Sequence, residues 1–394
     1  MANENLSKAK RAKNDEFYTQ YPDIEKEVSA YLDYNPNAFK DKTVLLPCDD
    51  PDWSNFTKYF AQSFQRLGLK KLVGTSYAEA SKPYPTGREI PDWEKADPKF
   101  DPEKAVRNGK MFVIDRDRTG NGRIDYADME WSYLEGDGDF RSGEVKRLRD
   151  EADMVVTNPP FSLFREFLAW FREKSPAQFL IIGNINAITY KEVFPLIKKD
   201  EVWLGPSISS GDREFEMPKA VVDLAKFTGA IRGGRYYQKV MGVRWFTNIE
   251  HGRRHEPLRL MTEADVVRYG SKQPFQEYDN YDAIEVPKTK WIPSDYKGVM
   301  GVPISFLDKY CPEQFEIVGA TQRGCHDELP DTRKYDDYWE VKPNGEKTGA
   351  SGGKTNENAN LLGNDGKKNY FINSEGRIVQ SAYQRIFIRH RKYL

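Results

Sequence analysis

The feature that most constrains this chain is an alternation over its first two-thirds: short, wholly apolar runs, each followed by a stretch with helical spacing. Val44-Leu45-Leu46 reads as a buried strand. Residues 54–67 follow it, with Phe56, Phe60, Phe64 and Leu67 on one helical face and Gly68 placed to end the helix. Leu72-Val73, Met154-Val155-Val156 and residues 179–182 repeat the strand pattern, and 202–204 and 243–246 are weaker versions of it. A helix through Leu163, Phe167, Leu168 and Phe171 lies between two of these strands. Runs that are apolar without alternation suit strands buried on both faces, which means a mostly parallel sheet with helices on each side. The expected fold class is therefore α/β.

Two stretches break the rhythm. Residues 79–138 are polar and rich in Pro, Asp and Gly; they are too long for an ordinary connection and read as an insertion. Residues 341–369 are rich in Gly, Asn and Lys and read as a mobile loop. A domain boundary is expected near residue 250, because beyond it the alternation gives way to short β-like runs such as 315–318 and 385–388. The 394 residues exceed the usual size of one core, so two domains are expected, 1–250 and 251–394.

Composition excludes several classes. The net charge of -1 rules out a protein that coats nucleic acid through bulk charge, so any such contact must come from local patches. Cys48, Cys311 and Cys325 are odd in number and form no CxxC, which argues for a reducing cytosol. No apolar run is long enough to cross a membrane and the first residues lack a signal-peptide core, so a soluble, cytoplasmic protein is expected. His251 and His255 sit among arginines in HGRRH, a poor setting for a cation; a solvated or phosphate-facing loop is expected there, and no metal site.

The strongest single signal is Asp153-Met154-Val155-Val156-Thr157-Asn158-Pro159-Pro160-Phe161, a buried strand running straight into Asn-Pro-Pro-aromatic. In an open α/β sheet, ligands sit beyond the carboxyl ends of strands. The residue types suit one job. An aromatic amine is a poor nucleophile because its lone pair is delocalised into the ring. The Asn158 side-chain oxygen and the Pro159 carbonyl can each accept one amino hydrogen, favouring a pyramidal nitrogen with its lone pair aimed at a methyl group. Pro159 and Pro160 stiffen the loop, and Phe161 can stack on a base. Positioning carries this chemistry, with no covalent intermediate and no strong general base. An amine paired inside a duplex would have to flip out first. The motif is specific for amino methyltransferases as a class and less so for the acceptor, since glutamine-modifying protein methyltransferases use a similar loop.

Further segments sharpen this reading: DEFYTQYPDIE (15–25), PCDDPDWSNFTKYF (47–60), GDGDF (136–140), TNPPFSLFREF (157–167), 179–198, RWFTNIE (244–250), 278–286 and 299–320. Together with the catalytic tetrapeptide they make the chain resemble the adenine-specific DNA methyltransferases of the EcoRI type over most of 8–320. The resemblance implies a Rossmann-like class I methyltransferase sheet that binds S-adenosylmethionine at the end of its first strand and methylates adenine N6 in double-stranded DNA. It implies that Tyr18 and Thr19 pack on the methionine part, and that Pro47, Cys48, Asp49, Asp50, Asn55 and Phe56 occupy the cofactor loop. Asp139-Phe140 would hold the cofactor adenine, with Asn158 beside the donor. Trp245 and Phe246 would pack against the flipped base opposite Phe161, although ordinary strand packing explains such residues too. The smaller C-terminal region, helped by the insertion, would read sequence, and a monomer acting in a restriction-modification setting with a cognate endonuclease is implied. Two features depart from the wider superfamily. Asp49-Asp50-Pro51-Asp52 stands where a glycine-rich loop is usual, and Gly74-Thr75-Ser76-Tyr77 carries no acid for a ribose.

Basic clusters flank the motif: Lys10, Arg11 and Lys13, then Arg232, Arg235 and Lys239, then Arg253 and Arg254. Interleaved with Tyr236, Tyr237 and Trp245, they suit phosphate gripping beside an extruded base. Residues 117–128 resemble a calcium loop, but Thr119 and Asp128 depart from its ligand pattern and a turn is favoured. Pro47-Cys48 lies on the cofactor side, so a packed or cofactor-contacting cysteine is preferred over a nucleophile. Other acceptors (cytosine N4, RNA, a protein glutamine) and a non-catalytic DNA-binding protein on this fold remain alternatives at this stage.

Overall fold

The parallel strands of the largest sheet are the apolar runs read above. A computed structural model describes residues 19–393 apart from 48, 51–53, 82–89, 174–176, 210–211, 218, 220–221, 223–226, 322–328 and 330. Its largest sheet has the order β4-β3-β2-β1-β5-β6-β11-β7. Here β1 is Thr43–Leu46, β2 Lys71–Thr75, β3 Lys110–Ile114, β4 Glu130–Tyr133, β5 Met154–Thr157, β6 Gln178–Asn184, β7 Trp203–Leu204 and β11 Val243–Thr247. β2, β1, β5 and β6 run parallel, and β11 runs antiparallel to β6. The chain winds outward from β1 to β2 in one direction and from β5 to β6 in the other. The point between β1 and β5 is where the winding reverses, the place where such sheets bind ligands.

Helices cover both faces. On one, α1 (Tyr21–Tyr34) and α2 (Asn55–Gln62) bury Ile24, Val28, Tyr31, Phe56 and Phe60 in the same cluster as Val44, Leu46, Met154, Val156, Leu180 and Trp245. The intervening strand residues face the other way: Phe246 meets Phe164 at 5.1 Å and Phe179 meets Phe171 at 4.9 Å, both partners on α4 (Phe164–Arg172). Between β5 and its predecessors, α3 (Gly143–Glu151) is capped by Ser142. The helix expected over 54–67 is broken at Ser63 (φ -97°, ψ 6°), where α2 ends and a single further turn, Phe64–Leu67, begins; Gly68, at φ +66°, terminates it as anticipated.

Two expectations are corrected. Residues 79–138 are not wholly outside the fold, because β3 and β4 extend the main sheet by two antiparallel strands. Only alternate residues of β3, Phe112 and Ile114, are buried, so the stretch lacked the apolar run that marked the inner strands. Residues 341–369 are not a loop. They lie within a five-stranded sheet, order β16-β15-β18-β19-β17, of β15 Trp339–Val341, β16 Lys347–Ser351, β17 Asn360–Leu362, β18 Tyr370–Ile372 and β19 Ile378–Ser381. The Gly and Asn content serves tight turns: Gly345 and Gly366 sit at φ +86° and +68°, where Asn344 Oδ1 and Asn364 Oδ1 accept main-chain N–H groups.

Between β7 and β11 the chain builds a three-stranded antiparallel sheet, order β8-β10-β9, from β8 Arg213–Met217, β9 Ala230–Arg232 and β10 Arg235–Val240. The chain divides into two compact units, Met1–Asn184 with Leu204–Gly252, and Ile185–Trp203 with Arg253–Leu394. The second unit holds the five-stranded sheet and a four-stranded one, order β12-β13-β20-β14, from Ala283–Glu285, Val299–Pro303, Arg385–His390 and Phe315–Ala320. The last strand, β20, thus lies between two strands that precede it by many residues.

Candidate active site

Strand β5 stops at Thr157 for a covalent reason. Pro159 and Pro160 have no N–H to donate, so the ladder cannot continue. The chain turns at once into a short helical turn, Phe161–Leu163, in which the Leu163 N–H donates to Pro160 O at 2.8 Å. That engages the carbonyl of Pro160 and leaves the Pro159 carbonyl unused by the turn. Pro159 is buried, Asn158 and Pro160 are partly exposed, and Phe161 packs partly buried against the core of the α1 and α2 face.

The loop leaving β1 lies beside this one. Pro47 is buried, and its carbonyl accepts from Thr157 Oγ1 at 3.0 Å. Asp49 is buried too: its Oδ2 accepts from Thr157 Oγ1 at 2.7 Å and its Oδ1 from Ser54 Oγ at 2.7 Å. Its main-chain carbonyl accepts from Thr57 Oγ1 at 2.7 Å. Burial pushes the Asp49 carboxyl up to about 7, against the pull of the two hydroxyls and with some help from the nearby Asp50 charge. Ser54 also caps α2, accepting from the N–H groups of Phe56 and Thr57. Asn55 Nδ2 donates to Thr19 O at 2.7 Å, which ties Thr19 to this corner, and among the described residues the buried Thr19 hydroxyl has no hydrogen-bond partner. Tyr18 and Cys48 lie outside the described residues, as do Lys10, Arg11 and Lys13.

A third segment closes the edge at β2. Main-chain Ser76 approaches Gly109 and Gly138, and a Cβ at position 138 would lie 2.1 Å from Ser76 O. Gly138 also has φ +79°. Gly138→Ala is therefore expected to destabilise the protein by about 2 kcal/mol or more, read as a lowered denaturant midpoint; an unchanged midpoint would refute the close packing. The next residue, Asp139, accepts from Arg141 Nε at 2.9 Å and Nη2 at 2.6 Å, and keeps part of its carboxylate exposed.

Several side chains expected at a ligand surface are core instead. Phe140 is buried between Phe167 and Trp170, at 5.3 and 5.5 Å. Phe56 and Trp245 are buried edge to face at 6.0 Å, and Phe246 is buried on Phe164. The strand-packing reading of Trp245 and Phe246 thus replaces base stacking, because every residue of β11 is buried between the two helical layers. His251 is buried against Tyr31, with Nε2 3.0 Å from Leu204 O, and is not in a solvated loop. Arg254 is buried as well, paired with both oxygens of Asp200 and stacked 3.7 Å over Trp203, so it is not placed to meet a phosphate. Arg253 is partly buried in the turn Gly252–His255.

Arg232, Arg235 and Lys239 stay exposed on the β9–β10 hairpin. Arg232 lies over the Tyr237 ring and pairs with Glu214; Arg235 pairs with Glu216. In the 117–128 loop, Asp117 accepts from the N–H groups of Gly120 and Gly122, and Asp128 from those of Arg118, Thr119 and Asp125. These carboxylates are consumed by the turn itself. Among the described residues no group of three or more His, Cys, Asp or Glu gathers as metal ligands. Sequence reasoning missed Ser54, Thr157 and Gly138. Only the register of β1 against β5, and of β2 against the 136–140 segment, brings them into the site.

The group at the switch point is acceptor-rich: Asp50, the Pro47 carbonyl and the Thr19 hydroxyl, with the buried Asp49 carboxyl behind them. It fits a methyl donor. An Asn-Pro-Pro-aromatic loop beside such a group of acceptors, on a Rossmann-like sheet, defines an amino methyltransferase. The chain matches the family described as adenine-specific methyltransferase EcoRI over residues 5–391, and it belongs to that family. It is 44% identical over 316 residues to the type II methyltransferase M.EcoRI of Escherichia coli, covering 80% of this chain and 89% of that one. It is 35% identical over 321 residues to M.MpnI of Mycoplasma pneumoniae, with 79% and 84% covered. For M.MgeORF184P of Mycoplasma genitalium the identity is 33% over 320 residues, with 79% and 85% covered. No solved structure matches the chain. The protein is an adenine-specific DNA methyltransferase. No helix among the described residues is long and apolar enough to cross a membrane.

Proposed function

We propose that this chain transfers the methyl group of S-adenosylmethionine to N6 of an adenine extruded from double-stranded DNA, as the modification partner of an endonuclease acting on the same site. The observation that carries the reading is the Asn158-Pro159-Pro160-Phe161 loop leaving β5 directly beside the buried Asp49 loop of β1. S-adenosylmethionine supplies a methyl group made electrophilic by its sulfonium. Asp50, the Thr19 hydroxyl, the Pro47 carbonyl and Asp139 are the groups that would hold it.

Asn158 Oδ1 accepts one hydrogen of the adenine amine and Pro159 O the other. Drawing both hydrogens to one side turns the nitrogen lone pair out of conjugation and toward the methyl carbon. The sulfonium would supply the methyl carbon and its leaving group, so that N–C bond formation would be matched by S–C cleavage, and the surplus N6 proton would pass to solvent. The half-buried Phe161 ring is the stacking surface for the extruded base. Arg232, Arg235 and Lys239 on their exposed hairpin contact phosphates, and residues 251–394 read the target sequence. The protein works as a monomer in the cytoplasm.

The direct test is product analysis. Incubation of the protein with duplex DNA and methyl-labelled S-adenosylmethionine, followed by digestion to nucleosides, is expected to place the label in N6-methyl-2′-deoxyadenosine. Label in N4-methyl-2′-deoxycytidine, or in RNA or protein offered in parallel incubations while the DNA stays unlabelled, would replace this reading with another acceptor.

A further inference from the structure

The Thr157 hydroxyl has one proton to give and two acceptors in reach, Asp49 Oδ2 at 2.7 Å and Pro47 O at 3.0 Å. With Asp49 ionised, Thr157 donates to Oδ2. With a proton on Oδ2, Asp49 donates to Thr157 Oγ1 and the threonine proton turns to Pro47 O. Both arrangements are fully bonded, and neither requires a heavy atom to move. The other carboxylate oxygen is occupied by Ser54 Oγ in either case. Both oxygens of Asp49 are therefore spoken for inside the protein, which is not how a side chain reserved for a ligand is arranged.

Resting on the methyltransferase reading above, we propose that Asp49 is a positioning residue rather than a donor contact: through Thr157 it locks the catalytic Asn158 against the loop that holds the methyl donor. The lock is proton-sensitive. Asp49 is faced by Pro47 from the end of β1, by Ser54 and Thr57 from the start of α2, and by Thr157 from β5. Among the described residues, the charged group acting on it is Asp50. Its carboxyl sits near 7, above the unfolded value of about 3.9, so the folded state is favoured with the proton on, and that contribution is lost as pH rises from about 4 through about 7. A cation bound nearby favours the ionised form, so donor binding strengthens through the same window and releases a proton.

The test compares Asp49→Asn, Thr157→Val and Thr157→Ser in the full-length protein. The dissociation constant for S-adenosylmethionine is measured by calorimetry in buffers of different ionisation enthalpy, and single-turnover methylation is measured beside it. Asp49→Asn is expected to abolish proton release on binding, change the donor constant by less than about tenfold and slow methyl transfer by about 10²-fold, the cost of a displaced catalytic group. Thr157→Val, which has the shape but not the hydroxyl, should slow transfer similarly, and Thr157→Ser should recover most of the rate. If Asp49→Asn instead weakens donor binding a hundredfold or more while transfer at saturating donor keeps its wild-type rate, Asp49 is a ligand contact and the proposal fails. If Asp49→Asn does not fold, the Thr157 pair decides alone: a Thr157→Val rate equal to wild type overturns it. Failure of the parent reading is separately visible, because the wild-type protein would then form no N6-methyl-2′-deoxyadenosine.

Discussion

Asn158→Ala is expected to lower the rate of methyl transfer by about 10²–10³-fold while leaving the affinity for duplex DNA within about threefold of wild type. The size follows from the role proposed for the side chain. In the proposed mechanism its oxygen is the one side-chain acceptor that the loop offers to the target amine, and without it the amine nitrogen would keep its lone pair in the ring. Such positioned groups act on the transition state rather than on binding, so the loss falls on kcat. The fold should tolerate the change, since Asn158 is partly exposed and stands beyond the last ladder residue of β5. Asn158→Asp separates charge from shape: it keeps an acceptor but adds a negative charge beside Asp49 and Asp50, and it should fall between wild type and alanine. Single-turnover kinetics with electrophoretic binding assays would decide. A full-rate alanine variant would remove Asn158 from the chemistry altogether.

The second large effect concerns stability. In the second unit, Glu285 at the end of β12 and Arg385 at the start of β20 form a two-pronged pair, with Arg385 Nη2 2.6 Å from Glu285 Oε1 and Nε 2.9 Å from Oε2. Both side chains are about nine-tenths buried, at 8% and 10% exposure. Tyr278 Oη also donates to Glu285, and Arg385 Nη1 donates to the carbonyls of Tyr383 and Gln384. Burial and the adjacent carboxylate together hold the Tyr278 hydroxyl well above its usual range. Removing one partner strands the other charge in a dry place. Glu285→Ala is therefore expected to cost about 3–5 kcal/mol. Replacing both partners at once, as in Glu285→Leu with Arg385→Met, should recover much of it, because the desolvation penalty disappears with the pair. Urea denaturation of both variants tests this. A single-variant loss under about 1 kcal/mol would show the pair to be solvated rather than buried.

The inner strands were legible because a strand covered on both faces must be apolar at every position, as in 44–46, 154–156 and 179–182. β3 and β4 were not, because an outer antiparallel strand needs only alternate apolar residues, and short alternation in polar surroundings looks like an insertion. The five-stranded sheet was misread for the opposite reason: its turn residues outweigh its short strands in composition. Arginines misled in the same way. Arg232 and Arg254 look alike in sequence, yet one is exposed on a hairpin and the other is clamped on Asp200 and Trp203.

By itself, the sequence determined the chemistry that local covalent structure dictates: where β5 must end, which loop follows it, and that this loop offers an amide oxygen and a proline carbonyl. Tertiary structure alone decided which aromatic rings are core and which acids answer to a hydroxyl across the sheet. It placed Trp245 and Phe246 inside and set Asp49 between Ser54 and Thr157. The reason is distance. A proline acts on its immediate neighbours, whereas the environment of Asp49 depends on a strand 108 residues away that only sheet register brings alongside.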